Sequence, residues 1–210
     1  MNYYEMVKEF AVAFGQPVAS EPTVLTKERH EVRLALIREE WIETMEAIRV
    51  NDQELRMRLN REEWKETIDA IVEEDTIEVL DGFCDMMYVF MGHAIECGIT
   101  PTISSETSDP SLRAIGREIS DLDYCFHSGL LPNSTFRSLV SRACYSACYE
   151  FSELTFNQAF AEVHRSNMAK LWSYEEIQDR PDGWRVAASE GKAGMWIVTD
   201  QQGKIMKPPS

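Results

Sequence analysis

Residues 74–98 read EDTIEVLDGFCDMMYVFMGHAIECG. The run is long, rich in apolar side chains, and stopped by Gly98 and Pro101, which predicts a helix. At about 100° per residue, Glu78, Asp81 and Asp85 share a stripe roughly 60° wide, with Tyr88 and Gly92 on the same line. The rest of the wheel is Val79, Leu80, Phe83, Cys84, Met86, Met87, Val89, Phe90, Met91 and Ile95. A helix apolar nearly all round is expected to be buried. Three carboxylates on such a helix repel one another and lose hydration unless cations or protons neutralise them. Two readings stand: a functional cation site, or a buried salt-bridge network with Arg33, Arg38 or Arg49.

Working outward, residues 28–50 predict a second helix, with Leu34, Ile37, Trp41, Met45 and Ile48 three or four apart. Glu39, Glu40 and Glu43 face away from that stripe, so two acidic faces can look at each other across a helix pair. Five or six oxygen donors without histidine are what Mg²⁺ or Mn²⁺ prefers. An isolated EExxE is also common on solvated helices, and Arg33, six residues earlier, is placed to salt-bridge it.

Further helices are expected over residues 2–14, 53–72, 111–128, 133–153 and 155–172, with Asn51-Asp52 interrupting the second. Residues 16–26 read as a polar loop and 100–111 as a Ser/Thr/Pro-rich one. Short strands are expected at 184–188 and 195–199, with a turn at 200–203 before 204–207. The fold class is therefore all-α: residues 1–172 as a helical bundle and 173–210 as a small β-hairpin-like appendage packed on it.

The 210 residues carry 21 Lys+Arg and 36 Asp+Glu, a formal net charge of −15. Apolar residues make up 44% and charged ones 27%, as in globular rather than disordered chains. The acidic excess argues against nucleic-acid backbones and anionic membranes as partners. No apolar stretch is long enough to span a bilayer, and the first 14 residues do not read as an export signal. The expected setting is the cytoplasm, with Cys84, Cys97, Cys125, Cys144 and Cys148 reduced. Cys125-x-His127 with Cys144 and Cys148 is not a standard zinc spacing, and small buried thiols are the alternative. His93, on an apolar helix, reads as a satisfied core residue.

The acidic motifs resemble a known pattern. Glu39-Glu40-x-x-Glu43 followed by Glu78-x-x-Asp81 is similar to the EExxE…ExxD of the all-α nucleotide pyrophosphohydrolases. These are the MazG-like and phosphoribosyl-ATP pyrophosphohydrolase-like proteins, with the dimeric dUTPases as relatives. Residues 160–171, FAEVHRSNMAKL, resemble the EVHRSNMxKL stretch of one branch, and residues 203–209, GKIMKPP, resemble its tail. The resemblance implies a MazG-like bundle, a homodimer or homotetramer, that hydrolyses (deoxy)nucleoside triphosphates between the α and β phosphates. It implies Mg²⁺ or Mn²⁺, two or more per site, on Glu39, Glu40, Glu43, Glu78 and Asp81, with Asp85 beside them. Glu40 or Glu43 becomes the general base. Asn167 and Lys170 become nucleotide contacts, with His164, Arg165 and Ser166 carried along; Lys170, Arg165, Lys204 and Lys207 offset charge on the leaving group, and Tyr88 meets sugar or base or simply packs. Residues 100–155 read as an insertion that extends a subunit interface or caps the site. The aromatic stretch 172–198 stacks on a base or packs.

A di-iron carboxylate bundle is the rival enzyme class, but none of the four histidines follows a glutamate by three residues. A non-catalytic binding module of the same fold is the remaining alternative.

Overall fold

The computed structural model describes residues 1–58, 65–103 and 112–209, with side chains placed for 1–49, 76–103 and 114–209. Six helices are assigned among them: α1 (Tyr3–Ala13), α2 (Lys27–Arg58), α3 (Lys65–Glu96), α4 (Leu112–His127), α5 (Asn133–Phe151) and α6 (Glu153–Met168). A 3₁₀ turn (Glu176–Asp179) and two strands, β1 (Arg185–Ala188) and β2 (Trp196–Thr199), follow. The chain is mostly helical with a small C-terminal hairpin, as the periodicity predicts. Part of the expected 53–72 run and most of the 100–111 loop, residues 59–64 and 104–111, lie outside the described residues.

Helix α3 is the centre. It packs against α1, α2, α5 and α6, while α4 packs on α2 and α5. Phe83, Cys84, Met86, Met87, Phe90, Met91 and Ile95 are buried there. Gly98 ends the helix in the left-handed region (φ +66°), with Gly98 N–H donating to Ile95 O and Ile99 N–H to Ala94 O. A Cβ at Gly98 would also collide with the Glu21 carbonyl. The loop before α2 closes over this end, Ala19 and Thr23 donating to the carbonyls of Ile95 and Cys97.

One expectation changes. The helix from Lys27 does not break at Asn51-Asp52 but runs to Arg58; tertiary pairing with α3 overrides a weak local preference. The 100–155 stretch, read as an insertion, supplies part of the core. Phe136, Leu139, Val140, Ala143 and Ala147 of α5 are fully buried against α3 and α6, so its second helix is core.

The tail forms an antiparallel pair in the register Arg185↔Thr199 to Ala188↔Trp196. Trp172 is buried, donates its indole N–H to Met206 O at 2.8 Å and meets Trp184 edge-on, so this aromatic packs. Ser189 Oγ donates to Ala13 O at 2.7 Å, tying the hairpin to the end of α1. All five cysteines are free thiols. Burial pushes the Cys144 thiol up to about 12, which keeps it protonated.

Candidate active site

Thr44 is fully buried in the middle of α2 and donates its hydroxyl to Glu40 O at 2.7 Å. It meets α3 at Gly82, where an added Cβ would lie 2.7 Å from Thr44 Oγ1 and 3.2 Å from Thr44 Cα. Only glycine allows the two helices this approach. Glu40 lies one turn before Thr44, and Asp85 lies three residues after Gly82, so the contact carries both acids into the same region.

The electrostatics follow from that placement. Glu40 is half-buried and its carboxyl is pushed up to about 7, first by lost hydration and then by the charges of Asp85, Glu43, Glu39 and Asp81. Asp85, also half-buried, rises to about 6 through burial and Asp81, with Lys170 pulling the other way. Glu39, Glu43, Glu78 and Asp81 are exposed. Five of the six predicted acids therefore share one field, and Glu78 stands on the same stripe of α3, three residues before Asp81.

This corrects the sequence expectation about α3. The helix is not buried all round: Ile77 is 62% exposed, and Glu78 and Asp81 face solvent beside it. Burial acts on Asp85 and Glu40, the half-buried pair. The expected arginine partners are also elsewhere. Arg33, with Arg29, pairs with the buried Glu96, and Arg38 pairs with Asp123. Arg49 is exposed and lines a hollow with Trp41, Met45 and Ile48.

The opposite wall comes from α6 and the tail. An open cleft of about 310 Å³ is lined by Asp81 and Asp85 on one side and Glu162, Val163, Ser166 and Asn167 on the other. Lys170 donates to Asn167 Oδ1 at 2.6 Å. Its ammonium is pulled below the usual range by burial and by Lys207, while Asp85 opposes this. Lys207 reaches Ser166 Oγ at 3.5 Å. Tyr88 is buried, its hydroxyl 3.0 Å from His164 Nδ1. Arg165 is exposed and pairs with Glu162. Lys204 is exposed in the turn after β2, its backbone N–H on Asp200 Oδ1. Sequence reasoning missed Thr44 and Gly82, whose only signal is a threonine inside a charged helix and a glycine inside an apolar one.

The donor set is all carboxylate oxygen, the chemistry of a hard divalent cation, which would relieve the same repulsion that protons relieve at Glu40 and Asp85. Among the described residues no three His, Cys, Asp or Glu side chains stand close enough to hold an ion as they are placed. This holds for the cysteines and histidines of the zinc reading as well.

Residues 48–107 match the family model of phosphoribosyl-ATP pyrophosphohydrolase. Over this segment the chain is similar to that family, which lies within the MazG-like all-α superfamily of NTP pyrophosphohydrolases. The matched phosphoribosyl-ATP pyrophosphohydrolase segment takes in Glu78, Asp81, Gly82 and Asp85; Glu39, Glu40, Glu43 and all of α6 lie outside it. Members of this family are pyrophosphohydrolases acting on acid anhydrides, and they are generally Mg²⁺-dependent. No curated protein and no solved structure matches the chain. No helix among the described residues is long and apolar enough to cross a membrane.

Proposed function

We propose that the chain hydrolyses (deoxy)nucleoside triphosphates between the α and β phosphates, releasing a monophosphate and pyrophosphate. The observation that carries this reading is one open cleft lined by Asp81 and Asp85 of α3 and by Ser166 and Asn167 of α6, with Glu40 of α2 in the field of the same α3 acids and Lys170, bonded to Asn167, in that of Asp85. A triphosphate brings about four negative charges, which an all-acidic wall holds only with cations between.

Glu39, Glu40, Glu43, Glu78, Asp81 and Asp85 would hold Mg²⁺ or Mn²⁺, two or more per site. When bound, such ions neutralise phosphate charge and acidify the attacking water. Glu40 or Glu43 takes the proton of that water as it attacks the α phosphorus. The Pα–O bond to the β phosphate breaks, and the bridging oxygen leaves with the electron pair on pyrophosphate. Lys170 and Lys207, positioned by Asn167 and Ser166, offset that charge. Arg165 and Lys204, both exposed, belong to the outer rim.

The reading extends to a homodimer or homotetramer, supported by the exposed apolar residues Ile42 and Ile77 on the paired helices. Adjustment of a nucleotide pool, or removal of damaged nucleotides, in the cytoplasm is the role such chemistry serves. A panel of NTPs and dNTPs with Mg²⁺ or Mn²⁺, scored for pyrophosphate against orthophosphate, tests it. Pyrophosphate with the monophosphate is the expected result. Orthophosphate alone overturns α–β cleavage, and no turnover with either metal leaves a non-catalytic nucleotide-binding module.

A further inference from the structure

Two lysines reach one wall of the cleft from separate segments of the chain. Lys170, just after α6, donates to Asn167 Oδ1 at 2.6 Å, and the Lys207 ammonium stands 3.5 Å from Ser166 Oγ. Ser166 and Asn167 are consecutive on α6 and both line the cleft, so two ammonium groups are brought to neighbouring side chains. They are not equally held. Lys170 is half-buried, whereas Lys207 is exposed. A flexible four-carbon stem places its charge only as well as the backbone beneath it is fixed.

One buried residue is bonded to both segments. The backbone N–H and C=O of Trp172 pair with Trp196 at 2.8 Å each, which anchors the stretch following Lys170 to β2. Its indole N–H donates to Met206 O at 2.8 Å. That carbonyl belongs to the peptide unit joining Met206 to Lys207, so the bond sets the plane from which Lys207 departs. The other bonds of this segment act earlier in the chain. Met206 N–H donates to Val198 O at 2.9 Å, Ile205 bridges Thr199, and Asp200 holds Lys204. They leave rotation about the Met206 Cα–C bond open, and the indole closes it. The ring itself is held by packing: it meets Trp184 edge-on at 6.2 Å and is buried with Ile177 and Val198. A buried indole N–H needs some acceptor; here the acceptor is the carbonyl next to the cleft lysine.

We propose that Trp172 is a positioning residue: its indole N–H, on the Met206 carbonyl, holds Lys207 on the wall that carries Lys170, so that both ammonium groups receive the pyrophosphate end of a triphosphate. The substrate rests on the pyrophosphohydrolase reading; the bond to Met206 and the place of Lys207 on the cleft wall stand apart from it. The Lys170 ammonium is pulled below its usual range by burial and then by Lys207, as for two cations that share one anion site.

Trp172→benzothienylalanine keeps both fused rings and exchanges the N–H for sulfur, so it removes the donor without emptying the core; Trp172→Phe is the second variant. Either change should raise KM for the triphosphate about threefold with kcat within about twofold, and weaken calorimetric binding of inorganic tripolyphosphate with Mg²⁺ about equally. Lys207→Met should weaken both by about threefold or more, and in that background the change at 172 should have no further effect. Trp184→Phe, which alters packing around the same ring and leaves the bond to Met206 in place, should bind tripolyphosphate as wild type does. Full tripolyphosphate affinity with benzothienylalanine overturns the proposal, as does a loss that persists undiminished in the Lys207→Met background. Trp184→Phe weakened as much as Trp172→Phe assigns the effect to packing and overturns it too. A wild type that releases no pyrophosphate overturns the hydrolase reading instead, and the tripolyphosphate comparisons then decide the role of Trp172.

Discussion

Thr44 and Gly82 touch so closely that a single methyl group on the glycine would lie 2.7 Å from the threonine hydroxyl. This contact sets the spacing of α2 and α3 at the point where Glu40 and Asp85 share one electrostatic field. Gly82→Ala should therefore destabilise the protein by about 1–3 kcal/mol and lower turnover beyond what that loss explains, because the acids move with the helices. Urea denaturation with activity assays on the folded fraction checks both. Adding Thr44→Ala removes the worst clash and should recover part of the stability in a double-mutant cycle. Purely additive losses would mean the contact does not set the helix spacing.

Glu40→Gln separates chemistry from stability. Its carboxyl takes up a proton more readily in the folded state than in the unfolded chain, at about 7 against an ordinary 4.5. Folded stability from this group thus falls as pH rises from about 4.5 through 7. Without divalent cations at pH 8, the Gln variant should melt roughly 2–4 °C above wild type while releasing no pyrophosphate. Added Mg²⁺ should raise the wild-type Tm more than the variant's. Calorimetry at pH 8 with and without Mg²⁺ reads this directly.

Lys170 and Arg165 should behave differently despite being five residues apart. Lys170 is half-buried, bonded to Asn167 and within the field of Asp85, whereas Arg165 is exposed and occupied by Glu162. Lys170→Met should raise KM for the triphosphate by about tenfold or more, and Arg165→Ala should stay within about threefold of wild type. Steady-state kinetics on the two variants is sufficient, and equal defects would place Arg165 inside the site.

Glu96 is fully buried and accepts from both Arg29 and Arg33, which hold its carboxyl below the usual range against the opposing effect of burial. Glu96→Gln leaves the Arg33 charge, itself nearly buried, without a counterion and should cost about 3–5 kcal/mol at pH 7. With a folded-state value below the unfolded one, the contribution of Glu96 is present above about 4.5 and lost as pH falls through the folded value. The variant should show a flatter acid limb in a Tm-against-pH series.

His93 shapes the same limb at higher pH. It is buried between His30 and Phe136, and burial holds it down at about 3 against an ordinary 6.5. The unfolded chain takes up this proton first, so stability should fall as pH drops from about 6.5 toward 3. His93→Met, with no proton to take up, should remove that part of the slope, measured as Tm between pH 7 and 5. An unchanged slope would assign it to other groups.

The elements were legible from the chain because helix and strand periods are local. Every third or fourth apolar residue in 28–50, 74–98 and 133–153 marks a buried face, and the glycine at 98 marks an end. The stripe of Glu78, Asp81 and Asp85, and the EExxE strip facing it, were readable for the same reason. What the wheel could not supply is how deep each acid lies, since depth depends on which neighbour covers the stripe and how near it comes. The Gly82–Thr44 approach leaves Glu78 and Asp81 in solvent and buries half of Glu40 and Asp85, and it is the buried pair whose protonation shifts. Partner choice was equally hidden: Arg33 turns to Glu96, 63 residues away, rather than to the acids on its own helix. His164 meets Glu9, 155 residues away in the chain, and Tyr88, 76 residues away, contacts that no local pattern announces. Local sequence determined the helices and their acidic faces; packing determined which charges are desolvated and which groups meet, because hydration and distance are properties of the folded whole.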